Sequence, residues 1–432
     1  MKKTVLILLI AISLGPYRLQ AQKILTLKEC YDHAMTSNAL AGEKTGYSDI
    51  SKLKDENLVK GWLPTLDANG SLVYNSSVID LSGVLGSLPI PGIANAIKPL
   101  PHEQYKITLD INQVIYDGGA IKGARELEKA DLSINQKQTE TDLYKLRGEI
   151  NNYYFNLLLL ARQKELLDTY LEIIKKQISS MQSGINNGVI IKSDIDILTS
   201  EKINNEQELA ENEIRKTSFI KVLSNLTGLE IDTETVFIVP VPKDEFSNEL
   251  LRPELQLFDL RREQLGAGLK VIESSRMPKA FGFATFGYGN PPGSNFFKNE
   301  FAPYYIVGAT LKWNIFDWNR SKNEKQVISF QQSLIENRKK DLTDNLNRLL
   351  VSKNAEIISL KALIDRDNEL IALRKKITAS SKSQYQNGIV TATEYLNQLN
   401  SERQSLINNE IHKINLSMAR IEYLNISGKE IE

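Results

Sequence analysis

Leu143, Leu146, Ile150, Tyr153, Leu157, Leu160, Lys164, Leu167, Leu171, Ile174, Ile178, Met181 and Ile185 succeed one another at alternating steps of three and four, with one lysine as the only polar member. That spacing keeps one seam of a helix apolar, and its persistence over about six heptads specifies a coiled coil. Leu159, Leu166 and Ile173 add a second edge, as a helix with neighbours on two sides requires. A weaker version recurs later, with Leu342, Leu349, Leu363, Leu370 and Ile377 on one seam and Leu346, Leu350, Ile357, Leu360, Ile364 and Ile371 on the other. Asn187-Gly188 and Asn387-Gly388 favour the left-handed conformation that ends a helix. A helix from Asp117 to Gly188, or from Asp317 to Gly388, is about 100 Å long at 1.5 Å per residue. Helical spacing resumes after each glycine, so each long helix turns back as a hairpin.

Ahead of each long helix the period becomes two. Tyr105, Ile107, Leu109 and Ile111 alternate with Lys106, Thr108, Asp110 and Asn112, and Tyr305, Val307, Ala309, Leu311, Trp313 and Ile315 alternate with mostly polar neighbours. Such strands have one apolar and one polar face. Strands are expected at about 65–78, 104–116, 280–289 and 303–316. An apolar sheet face needs a cover, and the helices are committed to their own seams, so lipid is favoured over a second protein layer.

The two stretches are copies. Ile115-Tyr116-Asp117 recurs as Ile315-Phe316-Asp317, Asn187-Gly188-Val189 as Asn387-Gly388-Ile389, and Asn225-Leu226-Thr227-Gly228 as Asn425-Ile426-Ser427-Gly428, all at an offset of 200. Three matches in one register mean two structural repeats. The chain divides into repeat 1 at 22–228, a linker or equatorial segment at 229–252, and repeat 2 at 253–432. Leu63-Pro64 and Met277-Pro278 are 214 apart, which places extra residues of the first copy in the Gly/Pro-rich loop Ile79 to Pro101.

Lys2-Lys3, the apolar run Val5 to Leu14 and Ala21 have the order of a secretory signal, so 1–21 is expected to be removed. Without Lys2, Lys3 and Arg18 the 53 basic residues become 50 against 53 acidic, and no basic surplus recruits nucleic acid. A single Cys30, expected as a small buried residue of the first helix, excludes an intramolecular disulfide. Three scattered histidines argue against zinc. No cofactor and no enzyme activity are expected, since nucleotide, zinc-protease and serine-hydrolase motifs are missing. No later segment reaches 18 apolar residues, so any membrane crossing falls to strands.

Two copies of strand, strand, very long helix, glycine tip and returning helix, behind a signal, resemble the TolC-like outer-membrane efflux protein family. The tip segments add to the resemblance, each with an acid six residues after the glycine: Asp194 after Gly188 and Glu394 after Gly388. The resemblance implies an α+β membrane protein, a homotrimer in which four strands per chain close a twelve-stranded barrel that continues into a periplasmic α-helical tunnel. It implies an outer-membrane location extending into the periplasm, and the function of exit duct for a tripartite efflux pump or type I secretion system. Its partners would be outer-membrane lipid, an inner-membrane transporter and a periplasmic adaptor that meets the tips at Asn187, Gly188, Val189 and Ile190 and at Asn387, Gly388, Ile389 and Val390. It further implies an acidic entrance ring, for which the matching positions are Glu394 and Asn397, only one of them acidic, and a closed-state latch between Tyr385 and Asp194. Glu394 could instead cap or solvate the helix start, and Tyr385, which obeys the heptad spacing, could be a seam residue. The family's second link uses an arginine where this chain has Val390. The alternative from another class is a periplasmic coiled-coil adaptor or structural protein.

Overall fold

The computed structural model describes residues 23–79, 99–185, 192–242, 249–295 and 298–431. The expected signal segment 1–21, most of the loop after Ile79, and Asn187, Gly188, Val189 and Ile190 of the first tip lie outside the described residues. Elements run in the order β1 (Ile24–Leu25), α1 (Leu27–Ser37), a 3-10 turn (Ala39–Gly42), α2 (Glu43–Lys60), β2 (Thr65–Tyr74), β3 (Glu103–Tyr116), α3 (Ala120–Ile185), α4 (Lys192–Thr227) and β4 (Val236–Phe237). There follow α5 (Pro253–Ser275), β5 (Lys279–Asn290), β6 (Ala302–Lys312), α6 (Arg320–Gln386) and α7 (Ala392–Ser427). The helices α3 and α6 hold 66 and 67 residues, as the heptad pattern requires. The chain divides into two units, one of residues 44–137 and 257–339, the other of the remainder.

The first unit is built on a four-stranded antiparallel sheet in the order β2-β3-β5-β6. Cross-strand register puts Leu66, Ile111 and Ala284 in one row, Ile107 and Tyr288 in another, and Val307 opposite Ala284. Every apolar residue named for the β3 and β6 alternation up to Leu311 therefore shares a face with Leu66, Leu72 and Phe286. That face is open: Leu72 and Ile107 are each 69% exposed, Val307 68% and Leu311 72%. The opposite face carries Asn69, Thr108, Asp110 and Thr285, joined through the Asp110 carboxylate, which accepts from Asn69 Nδ2 at 2.8 Å, Thr108 Oγ1 at 2.8 Å and Thr285 Oγ1 at 2.5 Å.

Two strands stop earlier than the alternation implies. β6 ends at Lys312 rather than 316, because its partner β5 begins at Lys279 and the preceding Pro278 has no N–H to extend the ladder. β2 ends at Tyr74 rather than 78, because β3 begins opposite it at Glu103.

The turn from strand to long helix is the same in both copies. Asp117 accepts the amides of Gly119 at 2.8 Å and Ile121 at 2.6 Å, and Asp317 accepts the amide of Ser321 at 3.0 Å as well as its hydroxyl. Each carboxylate thus caps the orphan amides of a helix start. The next two residues have positive φ in both copies: Gly118 at +71° and Gly119 at +88°, Trp318 at +53° and Asn319 at +65°. Glycine takes this conformation freely, whereas a bulky residue held there costs about 1–3 kcal/mol.

In the second unit, α1 starts at Thr26, whose side chain accepts the Glu29 amide while Glu29 accepts the Thr26 amide, a reciprocal capping box. β1 pairs in parallel with β4. Tyr154 ties this pair down: its hydroxyl lies 2.9 Å from the Leu25 carbonyl and 2.8 Å from that of Ile238, and accepts the Ile238 amide at 3.1 Å. Part of the 229–252 segment is therefore joined to the N-terminal segment. Cys30 is fully buried with Leu27, Ile150, Phe155, Leu157, Leu223 and Ile421, and burial pushes its thiol pKa up to about 12. The α3 seam is buried at Leu143, Ile150, Leu157, Leu160, Leu167, Ile174 and Met181. Of the two α6 seams, Leu346, Leu350, Ile357, Leu360 and Ile371 are buried, whereas Leu349, Leu363, Leu370 and Ile377 are exposed.

Candidate channel entrance

The second hairpin tip is closed by backbone geometry. Gly388, at φ +71°, lets its amide reach the Tyr385 carbonyl at 3.0 Å and lets the Ile389 amide reach that of Gln384 at 2.9 Å, which satisfies the last carbonyls of α6. Asn387 donates its side-chain amide to Ser383 O at 2.8 Å. Ile389 is exposed and Val390 half-buried. α7 then starts from Thr391, whose hydroxyl accepts the Glu394 amide at 3.2 Å.

Glu394 and Asn397 are both exposed, one turn apart, while Tyr395, Leu396 and Leu399 between and after them are buried. The two matched entrance positions thus share the outward face of α7. Because Thr391 supplies the cap, the Glu394 carboxylate is left outward-facing in the first turn, where the helix dipole favours it.

Tyr385 lies against Tyr395 and Met181. Its ring stacks on that of Tyr395 at 5.6 Å, and its hydroxyl donates to Met181 Sδ at 3.0 Å. Burial, and next the charge of nearby Asp194, hold its phenol pKa above the usual value, while a hydrogen bond with Gln177 opposes them. Asp194 is half-buried in the first turn of α4. Tyr385 is thus both a seam residue, packed with Ile178 and Ile195, and an electrostatic neighbour of Asp194.

A polar layer farther along the hairpins has no counterpart in the sequence reading. Tyr170 of α3 is buried, with its hydroxyl 3.0 Å from Glu201 Oε1 of α4 and 2.6 Å from the Asn400 side-chain oxygen of α7. A hydroxyl has one proton to give, so it donates to the carboxylate while the Asn400 amide, turned about, donates to the phenol oxygen. The Arg403 guanidinium covers the ring at 4.4 Å and reaches Glu208 at 3.3 Å. Three helices are thereby joined through one side chain. The signal available in the sequence was a tyrosine directly beside the heptad residue Leu171, which spacing alone reads as flanking packing.

Among the described residues no group of three or more His, Cys, Asp or Glu side chains could hold a metal ion, and no helix is long and apolar enough to cross a membrane. The arrangement presents surfaces and helix contacts rather than convergent reactive groups.

Residues 59–216 match the family model described as outer membrane efflux protein. Comparison with curated proteins gives no match. Among solved structures, the chain is similar to CusC, at 13% identity over 97% of this chain and 96% of that one, with a TM-score of 0.68. It is similar to VceC of Vibrio cholerae, at 12% identity over 94% and 97% with a TM-score of 0.66. It is also similar to the MtrE channel of Neisseria gonorrhoeae, at 14% identity over 94% and 89% with a TM-score of 0.65. At these identities the likeness establishes the fold.

Proposed function

We propose that this chain, which matches the outer membrane efflux protein family over residues 59–216 and has the fold of the channels to which it is similar, is a TolC-like outer-membrane exit duct of a tripartite export system. The observation that carries this reading is the sheet: four strands with one continuous apolar face, no helix packed on that face among the described residues, and two unpaired edges in β2 and β6. Exposed edges invite further strands, and a bilayer tolerates a sheet only when every edge is paired. Three chains contributing four strands each close a twelve-stranded barrel in which β6 of one copy meets β2 of the next. The exposed α6 seam at Leu349, Leu363, Leu370 and Ile377 supports the same homotrimer, with neighbouring copies completing a periplasmic helical tunnel.

In this assembly conduction is passive. An inner-membrane transporter supplies cargo and energy, and a periplasmic adaptor meets the tips at Asn187 to Ile190 and Asn387 to Val390. Glu394 and Asn397 line the entrance, and Tyr385 with Asp194 holds it closed. The decisive experiment is extraction of outer membranes followed by electrophoresis with and without heating. A heat-sensitive trimer in the outer-membrane fraction is expected, and a soluble periplasmic monomer would instead favour the adaptor reading.

A further inference from the structure

Two pairs of cross-strand partners in β5 and β6 join a glycine to a large aromatic residue, Gly287 to Tyr304 and Gly308 to Phe283. The glycine belongs to β5 in the first pair and to β6 in the second. All four residues lie on the face that carries Thr108, Asp110 and Thr285. In each pair the ring lies across the neighbouring strand, over the glycine. A Cβ on Gly287 would be 2.6 Å from Tyr304 Cε1 and Oη and closer still to Cζ, and one on Gly308 would be 2.6 Å from Phe283 Cζ and 2.9 Å from its Cε1. Gly293, just after β5, borders the Tyr304 ring as well, and a Cβ there would come within 2.9 Å of Cδ2. Tyr304 and Phe283 are accordingly half-buried on an open sheet, whereas Phe286, Tyr288 and Tyr305 of the opposite face are exposed.

A glycine inside a strand weakens it and often marks a place where another group must come close. Stability alone would be served as well by two β-branched or aromatic partners. A ring laid over a glycine gives instead an aromatic wall of little thickness. The rest of this face between the two pairs is shallow too. In the rows from Gly287 to Phe283, β2 and β3 contribute only threonine, asparagine and aspartate to it. Lysine appears on this face only outside those rows, at Lys106 on one side and at Lys279 and Lys312 on the other.

We infer that Gly287 and Gly308 set the width of the duct through the sheet: by letting Tyr304 and Phe283 lie along the wall, they admit cargo that upright rings would exclude. The inference rests on the barrel proposed above, in which this polar face lines the lumen. Twelve strands about 4.8 Å apart and tilted by ~45° enclose a bore of roughly 26 Å between backbones. The two pairs are four residues apart along β5, about 13 Å along the strand and ~9 Å in depth, so three copies give two successive tiers of three rings. A side chain at 287 or 308 takes the space of the ring's far end and drives that ring inward in all three copies at once.

The test places single cysteines on the lumen face of the full chain in intact cells, Ser71→Cys on the loop side of both tiers and Thr310→Cys on the helix side. Cys30 is fully buried and stays silent. Maleimides carrying polyethylene glycol of graded size are added outside, and the largest that labels Thr310→Cys in the otherwise unchanged chain serves as the probe. Gly287→Val or Gly308→Val should cut that labelling by about fivefold or more while labelling of Ser71→Cys stays the same. Tyr304→Ala added to Gly287→Val, and Phe283→Ala added to Gly308→Val, should restore it. Where a valine variant forms no heat-sensitive trimer, Gly287→Ala or Gly308→Ala takes its place, since a Cβ alone already meets the ring. Labelling of Thr310→Cys that no glycine variant lowers, or that deleting the ring does not restore, overturns the inference; a lowered denaturation midpoint beside unchanged labelling assigns the glycines to packing and overturns it too. The smallest reagent labelling Leu109→Cys, on the face assigned to lipid, as readily as Ser71→Cys rejects the barrel itself.

Discussion

The rings of Tyr385 and Tyr395 lie 5.6 Å apart with only 6° between their planes, and this stack directs the Tyr385 hydroxyl into the second hairpin's contact with Met181. The geometry places Tyr385 where it can hold the tip in one conformation. If Tyr385 and Asp194 act as one latch, Tyr385→Phe and Asp194→Asn should each raise single-channel conductance in planar bilayers, and the double variant should add little to either. Additive effects would separate the two residues and leave Tyr385 as packing against Met181 and Tyr395.

Glu394 is the one acid of the matched entrance pair, and its carboxylate faces outward beside Asn397. In the proposed trimer, three copies would supply about −3 from these positions, half of what an acidic pair gives. Glu394→Gln should therefore reduce cation selectivity, and Asn397→Asp should increase it and strengthen block by multivalent cations. Reversal potentials measured across a salt gradient report both changes, and potentials that do not move exclude Glu394 from the entrance.

The two sheet faces predict opposite responses to charge. In the proposed barrel, Leu109→Arg, on the apolar face, should destabilise the inserted state by about 2–4 kcal/mol if it lies near the bilayer midplane. Thr108→Arg, its neighbour on the polar face, should insert with much less penalty. Refolding into vesicles over a denaturant series measures the pair, and equal penalties would mean that the polar face also meets lipid.

At the turn into α3, Gly118 and Gly119 share positive φ but not surroundings. A Cβ on Gly118 would lie 2.6 Å from Met277 Cβ, whereas nothing lies within 4 Å of one on Gly119. Gly119→Ala should cost about 1–2 kcal/mol for the left-handed backbone alone. Gly118→Ala should add about 1–3 kcal/mol of crowding to that. Denaturation midpoints of the two variants test the order.

Lys164, the polar member of the α3 seam, is ion-paired with Glu213 of α4. Its hydrogen bond holds the Glu213 pKa below the ordinary range, and Glu213 in turn raises that of Lys164. A carboxylate with a lowered folded-state pKa stabilises at pH values above its unfolded value, and this contribution is lost as pH falls through the lowered one. Lys164→Met should therefore flatten the acid limb of stability against pH, with a modest effect because both side chains are partly exposed. An unchanged acid limb would show the pair to be energetically silent.

Residue spacing made much of this fold legible. The alternation around Ile107 and Val307 identified the sheet faces, and the 3,4 stripe from Leu143 identified α3, because both patterns are set by the geometry of a single element. The stop of β6 at Lys312 was not legible, since it depends on where Pro278 leaves the partner strand. The reason for Lys164 was hidden for the same cause: Glu213 lies 49 residues away on another helix. Spacing could not tell which α6 seam this chain would fill, because Leu349 and Leu350 are equally apolar and only the packed helices distinguish them. At the entrance, the outward faces of Glu394 and Asn397 follow from their one-turn separation, whereas the bond from Tyr385 to Met181 joins two hairpins and has no local signature.

β3 of the first copy meets β5 of the second in the same antiparallel fashion as strands pair within each copy, and of the three pairings this one alone carries a register shift, between Val114 and Tyr116. A chain of half this length, with one strand pair and one helical hairpin, would close the proposed barrel with twice as many subunits. Two copies carried on one chain need not be identical. The glycines at 118 and 119 and the tryptophan and asparagine at 318 and 319 are what that freedom looks like: one positive-φ turn, filled without side chains in one copy and with an indole and an amide in the other.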